Sequence, residues 1–226
     1  MDAGPLRSAF YEELDQIRLQ VELMGVRVDQ NLERMREVLR SGDEDVAAVA
    51  LAADDEIDAM HISLLERCYD LLGREAPVAS DLRFVVSVVR ILSELERVGD
   101  LALRVVKMAP HVEAMSHTGE TWDVLLTMVD TAVEQYRTAL RAWSAQDLAL
   151  AVDLVEHAPP LFAFQERLIG SLRFGDRGDA ETVRLVMSMF VIAQAADRIA
   201  DHAAIIGSRL RYLITGEPAH LAAEVR

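Results

Sequence analysis

The chain has 226 residues, and its 23 lysines and arginines stand against 38 aspartates and glutamates, which gives a formal net charge of −15. A surface this acidic repels phosphate backbones, and no segregated basic patch is evident, so these numbers argue against direct binding to DNA or RNA. The 51% of hydrophobic residues are ample for a core, which excludes disorder of the whole chain.

Apolar residues recur at three- and four-residue steps over most of the chain, which is typical of amphipathic helices. Glycine, proline and polar breaker clusters mark where this periodicity stops. Asp43 is placed to cap the second helix. The sequence therefore predicts six long helices, with bounds near 5–41, 43–72, 80–108, 120–143, 147–173 and 180–215.

The third and sixth predicted helices carry the same landmarks 101 residues apart. Such a match predicts an internal duplication of a three-helix unit. The matched pairs are Arg83 with Arg184, Ser87 with Ser188, Ile91 with Ile192, Arg97 with Arg198, Asp100 with Asp201 and Ala102 with Ala203.

Long helices joined by short turns pack as antiparallel bundles. We therefore predict an all-α fold of two pseudo-symmetric antiparallel three-helix bundles; a single irregular helical domain without a true repeat is the alternative. The predicted bundles cover residues 1–110 and 119–216, with a connection at 111–118 and a tail at 217–226.

Acidic pairs at four-residue spacing mark the duplicated helices. Glu96 and Asp100 lie on one face of the third helix, and Asp197 and Asp201 repeat the spacing on the sixth. Like charges at this spacing repel one another. Solvent, neighbouring arginines or a bound cation must therefore offset the repulsion.

The second predicted helix adds further candidate ligands. Asp54, Asp58 and His61 share one of its faces, and a turn near Glu75 brings that face to the level of Glu96. Carboxylates with an occasional imidazole suit iron, manganese or magnesium, and also zinc. From the spacing alone, however, a solvated acidic face is the simpler interpretation.

Two parts of the sequence resemble the PhoU family of phosphate-uptake and phosphate-signalling regulators. The first runs Ala-Pro-Val-Ala-Ser-Asp-Leu-Arg over 76–83 and Glu-Leu-Glu-Arg-Val-Gly-Asp-Leu-Ala over 94–102. The second runs Ala-Asp-Arg-Ile-Ala-Asp-His-Ala over 196–203 and closes with Leu-Ile-Thr-Gly-Glu over 213–217. The resemblance covers essentially the whole chain and implies two three-helix bundles.

The resemblance also implies multinuclear metal clusters, since acidic motifs hold such clusters in some members of the family. Carried over by position, it points to the acidic pairs of the third and sixth helices and to Asp54 and Asp58 of the second. The metal that we expect is iron or zinc, with manganese or magnesium left open. His61 stands where the family pattern has a carboxylate, and Pro159 and Pro160 interrupt the helix that would bring Glu156 near the second pair. The candidate ligands are Asp54, Asp58, His61, Glu96, Asp100, Glu156, Asp197 and Asp201.

By the same resemblance we expect a non-enzymatic regulator that restrains the phosphate regulon. It would link the ATPase subunit of a phosphate ABC transporter to a sensor histidine kinase; the sequence leaves a homodimer open. The chain shows neither a signal segment nor a membrane-length apolar stretch, so we expect it in the cytoplasm, held at the inner face of the membrane through its partners.

A ferritin-like di-metal oxidase or metal-storage bundle is the alternative function. That fold uses two Glu-x-x-His pairs that face each other in the bundle core. The sequence offers Asp58 with His61 inside the helices, whereas Glu217 and His220 lie past the last helix. The pattern therefore favours the regulator.

Overall fold

The structure is a computed structural model, and it describes residues 5–75, 77–156, 166, 169, 170 and 180–225. Over these residues it contains helices and no strand, which confirms the predicted all-α fold. The α-helices are α1 (Pro5–Ser41), α2 (Glu44–Glu75), α3 (Ser80–Val106), α4 (Val112–Ser116), α5 (Glu120–Ala145), α6 (Leu148–Glu156) and α7 (Ala180–Thr215). Two 3₁₀ segments, Ala109–His111 and Pro218–Val225, follow α3 and α7.

An aspartate caps the start of both α2 and α6. Asp43 Oδ1 accepts hydrogen bonds from the backbone N–H groups of Asp45 at 2.8 Å and Val46 at 3.2 Å. Asp147 Oδ1 does the same for two N–H groups at the start of α6, at 2.8 and 3.1 Å. These bonds satisfy amides that have no partner inside the helix. The predicted helix starts at Asp43 and Asp147 are confirmed to within a residue.

The first bundle consists of α1, α2 and α3, each packed against the other two. One stripe of α1 is fully buried, and α3 is buried along most of its length. The thiol of Cys68 on α2 is also buried, and burial raises its pKa to about 11. The stripe on α1 consists of Ile17, Val21, Met24, Val28, Leu32 and Met35.

The second bundle contains α5, α6 and α7, which also pack against one another. The predicted fifth helix continues to residue 173, but most of 157–179 lies outside the described residues. Burial follows the duplication: Ile91 and Ile192 are both buried, as are Ser87 and Ser188. Arg97 and Arg198 are both exposed. The repeat seen in the sequence is therefore a repeat of core positions.

The two bundles share their long sides, with α1 against α5 and α3 against α7. The buried Tyr136 hydroxyl on α5 donates a 2.9 Å hydrogen bond to the carbonyl of Gly25 on α1. Arg137 Nε binds Asp29 at 2.8 Å in the same contact, and Arg36 Nε binds Asp130 at 2.6 Å. A buried hydrogen bond and cross-bundle ion pairs therefore join α1 to α5.

No described helix has an apolar stretch of the length that a membrane crossing requires.

Candidate cation-binding face between α2 and α3

Four carboxylates from two helices form the candidate site. Asp54 and Asp58 lie one turn apart on α2, and Glu96 and Asp100 lie one turn apart on α3. We call these four residues the acidic face. Asp54 and Glu96 are partly buried, whereas Asp58 and Asp100 are exposed.

A glycine allows the two helices to approach closely at this point. Gly99 is buried in α3, and a Cβ placed on it would lie 3.6 Å from Asp54 Oδ1 and 3.8 Å from Ile57 Cγ2. The predicted turn near Glu75 places this face of α2 level with Glu96, which is three residues from Gly99. The register of this hairpin was therefore predicted to within one helical turn.

The charges of the acidic face act on one another. The pKa of Asp54 is raised to about 6, first by burial and then by the charges of Asp58 and Asp100. The pKa of Glu96 is raised by burial, then by Asp100 and Asp58, while Arg97 and His202 act in the opposite direction. The face therefore holds negative charge that its surroundings do not fully offset.

His61 follows Asp58 by three residues on α2 and is partly buried. Burial lowers its pKa against the opposing effect of Asp58, which favours the neutral imidazole. Its Nε2 atom is buried and makes no hydrogen bond within the described structure. A neutral imidazole nitrogen with a free position is the form that ligates metal ions.

The chemistry of this donor set fits a cation, because it combines hard oxygen ligands with one neutral nitrogen. As the side chains stand, no three His, Cys, Asp or Glu side chains of the described residues converge on one point where a metal ion could be held. The carboxylates of the acidic face thus repel one another, and their side chains would have to change rotamer to ligate an ion.

The second bundle presents its acidic pair differently. On α7, Asp197 is partly buried and Asp201 is exposed. Glu156, which the sequence placed near their level, binds Arg211 instead, with 3.1 Å between Oε1 and the guanidinium nitrogen. Arg211 lies ten residues beyond Asp201, which is about 15 Å along a helix.

The expected register of α6 against α7 is therefore wrong. A Cβ placed on Gly207 of α7 would lie 3.0 Å from Leu154 Cδ2 and 3.3 Å from the carbonyl of Ala151. The prediction counted residues around the turn between the fifth and sixth predicted helices, and the chain around that turn lies outside the described residues. The interrupting prolines Pro159 and Pro160 lie outside the described residues.

A buried hydrogen-bonded pair between the bundles was not predicted. Glu94 on α3 is completely buried, and its Oε2 lies 2.5 Å from Nδ1 of the buried His202 on α7. The apolar pattern of α3 could have identified Glu94 as a buried residue. Glu94 shares the helical spacing of the core residues Ile91, Leu95 and Val98.

Two similar three-helix bundles packed side by side, with acidic pairs on matching helices, define a class of duplicated all-helical proteins. The family model described as "PhoU domain" matches this chain twice, over residues 21–109 and 125–210. The chain therefore belongs to the PhoU family, which confirms the resemblance seen in its motifs.

Curated relatives bear the same family name. The phosphate-specific transport system accessory protein PhoU of Serratia marcescens is 27% identical over 209 residues, which cover 92% of this chain and 85% of that protein. The protein of that name from Escherichia coli K12 is 26% identical over 209 residues, covering 92% of this chain and 86% of the relative.

Solved structures agree with the fold. The crystal structure of PhoU from Pseudomonas aeruginosa superposes with a TM-score of 0.84 at 25% identity, covering 92% of this chain and all of that one. The phosphate transport system regulatory protein PhoU from Streptococcus pneumoniae gives a TM-score of 0.74 at 24% identity, covering 92% of this chain and 98% of that one. The arrangement of two three-helix bundles is therefore that of the family.

Proposed function

We propose that this protein is a regulatory accessory protein of phosphate uptake. The observation that carries the proposal is the family match on both halves of the chain, together with relatives named as phosphate-specific transport system accessory proteins over 92% of it. In this role it couples the ATPase subunit of a phosphate ABC transporter to a sensor histidine kinase. When phosphate is plentiful, it favours kinase silence and restrained uptake.

The physical mechanism that we propose is docking through helix surfaces. The acidic face carries unbalanced negative charge, since after burial the charges of Asp58 and Asp100 further raise the pKa of Asp54, and the whole chain has a net charge of −15. Lysine or arginine side chains of a partner would relieve that repulsion and steer association. Such docking would hold the protein in the cytoplasm at the inner face of the membrane.

Metal binding is part of the proposal. Asp54, Asp58, Glu96 and Asp100, with His61, would hold the ion or cluster of the first bundle, and Asp197 and Asp201 would serve the second. Iron or zinc is our first choice, with manganese or magnesium as alternatives. A bound cation would supply the positive charge that the acidic face lacks, so that α2 and α3 would be held together there.

The oxidase alternative has no observation in its favour. Glu217 directly precedes the 3₁₀ segment after α7 and contacts His220 within that segment at 3.5 Å. The His220 carbonyl accepts a hydrogen bond from Ser208. Within the described ranges, this pair does not face Asp58 and His61 across a bundle core. Adding ferrous iron to the protein and recording oxygen consumption tests the point, since rapid consumption would favour the oxidase.

Disrupting the gene and assaying phosphate-scavenging enzymes in phosphate-rich medium tests the proposed function. We expect loss of repression, and restoration by the unaltered gene. A gene carrying Asp58→Lys and Asp100→Lys should restore it poorly because the docking charge is reversed. Two lysines at Asp70 and Glu66, exposed residues on the same helix away from the acidic face, provide the matched control. Continued repression in the disrupted strain would contradict the proposal.

A further inference from the structure

A buried polar pair joins the two bundles where α3 meets α7. Glu94 is 0% exposed and His202 is 6% exposed. Their closest atoms, Oε2 and Nδ1, lie 2.5 Å apart, which is the separation of a short hydrogen bond between an imidazole N–H and a carboxylate. Glu94 Oε1 faces the guanidinium groups of Arg90 at 2.9 Å and Arg97 at 3.8 Å.

The duplication shows that the fold itself does not require this pair. A shift of 101 residues carries Glu94 onto Ala195 and Leu101 onto His202. Ala195 and Leu101 are both buried, at 1% and 6% exposed. Since α3 and α7 are copies of one helix, Leu101 and Ala195 hold the positions that correspond to His202 and Glu94. These corresponding positions are thus filled once by polar residues and once by apolar residues.

Stability alone does not explain the polar version. Burying two ionisable groups carries a desolvation penalty, and apolar residues of similar volume often replace a buried ion pair without loss of stability. A hydrogen bond, however, has a narrow range of distance and angle, whereas the hydrophobic contact between apolar side chains is non-directional. The polar pair therefore restricts the relative position of α3 and α7 more tightly than its apolar counterpart.

The location of the pair connects it to both acidic motifs. Glu94 precedes Glu96 of the acidic face by two residues, and His202 directly follows Asp201. The pair is thus a polar contact between the segment that carries the acidic face and the segment that carries Asp197 and Asp201.

We propose that Glu94 and His202 are positioning residues: they fix α3 against α7 in one register, and so fix the distance between the acidic face and the acidic pair of the second bundle. The binding of a partner or cation that contacts both bundles would depend on that distance. This last step rests on the proposed function, whereas the register itself does not.

The duplication also supplies the variant that tests the proposal. Glu94→Ala with His202→Leu copies the apolar pair of Ala195 and Leu101 into the polar position. Each single substitution leaves one polar group buried without its partner, so we expect a lowered urea midpoint. The double variant should recover most of that midpoint, because the same two residue types fill the corresponding positions in the same fold.

Relative bundle position is the decisive readout. Spin labels at Ser63→Cys on α2 and Thr127→Cys on α5, both exposed positions, report the distance between the bundles. Cys68 is buried and so is shielded from the label. We expect one narrow distance distribution in the otherwise unaltered protein and a shifted or broader one in the double variant. Glu94→Gln, whose amide can still pair with His202, should keep the narrow distribution.

Leu101→Ala provides the matched control at the pseudo-symmetric position. It should lower the urea midpoint while leaving the distance distribution narrow. A double variant that is stable and keeps the narrow distribution would overturn the proposal. So would a double variant that fails to fold, since the pair would then be a stability element. These measurements use the isolated protein, so a negative gene-disruption result would reject the proposed function without touching them.

Discussion

The acidic pairs of α3 and α7 have the same spacing but different surroundings. On α3, Glu96 and Asp100 face Asp54 and Asp58 across the α2–α3 contact, and the pKa values of Asp54 and Glu96 rise. On α7, the carboxylate expected nearby, Glu156, is paired with Arg211 instead. Duplication therefore preserved the acidic motif without preserving the charges around it.

The buried core, unlike the charges around the acidic pairs, is similar in the two bundles. Ile91 and Ile192 are both buried, and so are Ala102 and Ala203. A core position must be filled to similar volume in both copies, because a void costs packing energy. A surface charge is free to change its neighbours, since most exposed charges contribute little to stability. The two bundles should thus be alike in packing and unlike in electrostatics.

The largest expected effect is the loss of stability when equivalent core residues of the two bundles are truncated, and it tests whether the two cores are packed alike. Ile91→Ala and Ile192→Ala should each lower the free energy of unfolding by about 2–5 kcal/mol, because both leave a cavity in a closed core. Urea denaturation followed by circular dichroism measures the two values. If Ile192→Ala were nearly neutral while Ile91→Ala was not, the cores of the two bundles would not be equivalent.

Next in size is the expected difference in metal content. Protein purified without chelators should contain transition metal, and Glu96→Ala with Asp100→Ala should remove most of it. Asp197→Ala with Asp201→Ala should remove less, because Glu156, the carboxylate expected beside that pair, binds Arg211 instead. Elemental analysis of both double variants gives the comparison. Unchanged metal content in the first variant would place the ions elsewhere.

A smaller effect concerns the pH dependence of stability. Because the folded-state pKa of Asp54 is about 6 against an ordinary value of 3.8, the folded protein holds this proton more tightly than the unfolded chain does. The stability from this group is complete below the ordinary value and is lost as pH rises through about 6. Asp54→Asn should remove that loss and stabilise the protein at pH 7.5 by about 1 kcal/mol, after allowance for solvent screening.

Urea denaturation in metal-free buffer at pH 4.5 and 7.5 tests the sign. Asp70→Asn on the same helix removes one charge from an exposed position and serves as the control. Equal pH dependence in the two variants would show that Asp54 does not experience the repulsion described for the acidic face.

The smallest effect is expected at Glu156. Glu156→Gln should change the free energy of unfolding by less than about 1 kcal/mol, because its carboxylate pairs with Arg211 at a partly exposed site. Metal content should stay the same, which elemental analysis can check. A clear loss of metal would restore Glu156 to the ligand set of the second bundle and reduce the contrast between the halves.

The sequence was sufficient for the features that depend on local signals. Caps such as Asp43 and Asp147 and the apolar stripe of α1 determine where helices lie, and both are visible within a few residues of sequence. Asp54 was matched to its level on α3 because the turn between α2 and α3 is short, so that little error accumulates.

Longer-range features could not be predicted in the same way. The register of α6 against α7 depends on the chain between Glu156 and Ala180, where Pro159 and Pro160 interrupt the helical pattern, so counting residues across it does not fix the register. The contact of Glu94 with His202 joins residues 108 apart on different bundles. No local pattern specifies which side chains meet across such an interface, because that depends on how the two finished bundles dock.

Cys68 lacks the properties of the reactive cysteine in a thiol-based redox sensor. The thiolate is the form of cysteine that oxidants attack, and a pKa of about 11 leaves very little of it at neutral pH. The thiol is also buried, and it is the single cysteine of the chain, so no second thiol is at hand to resolve an oxidised sulfur. Cysteine oxidation is therefore not a route by which peroxide would act on this protein.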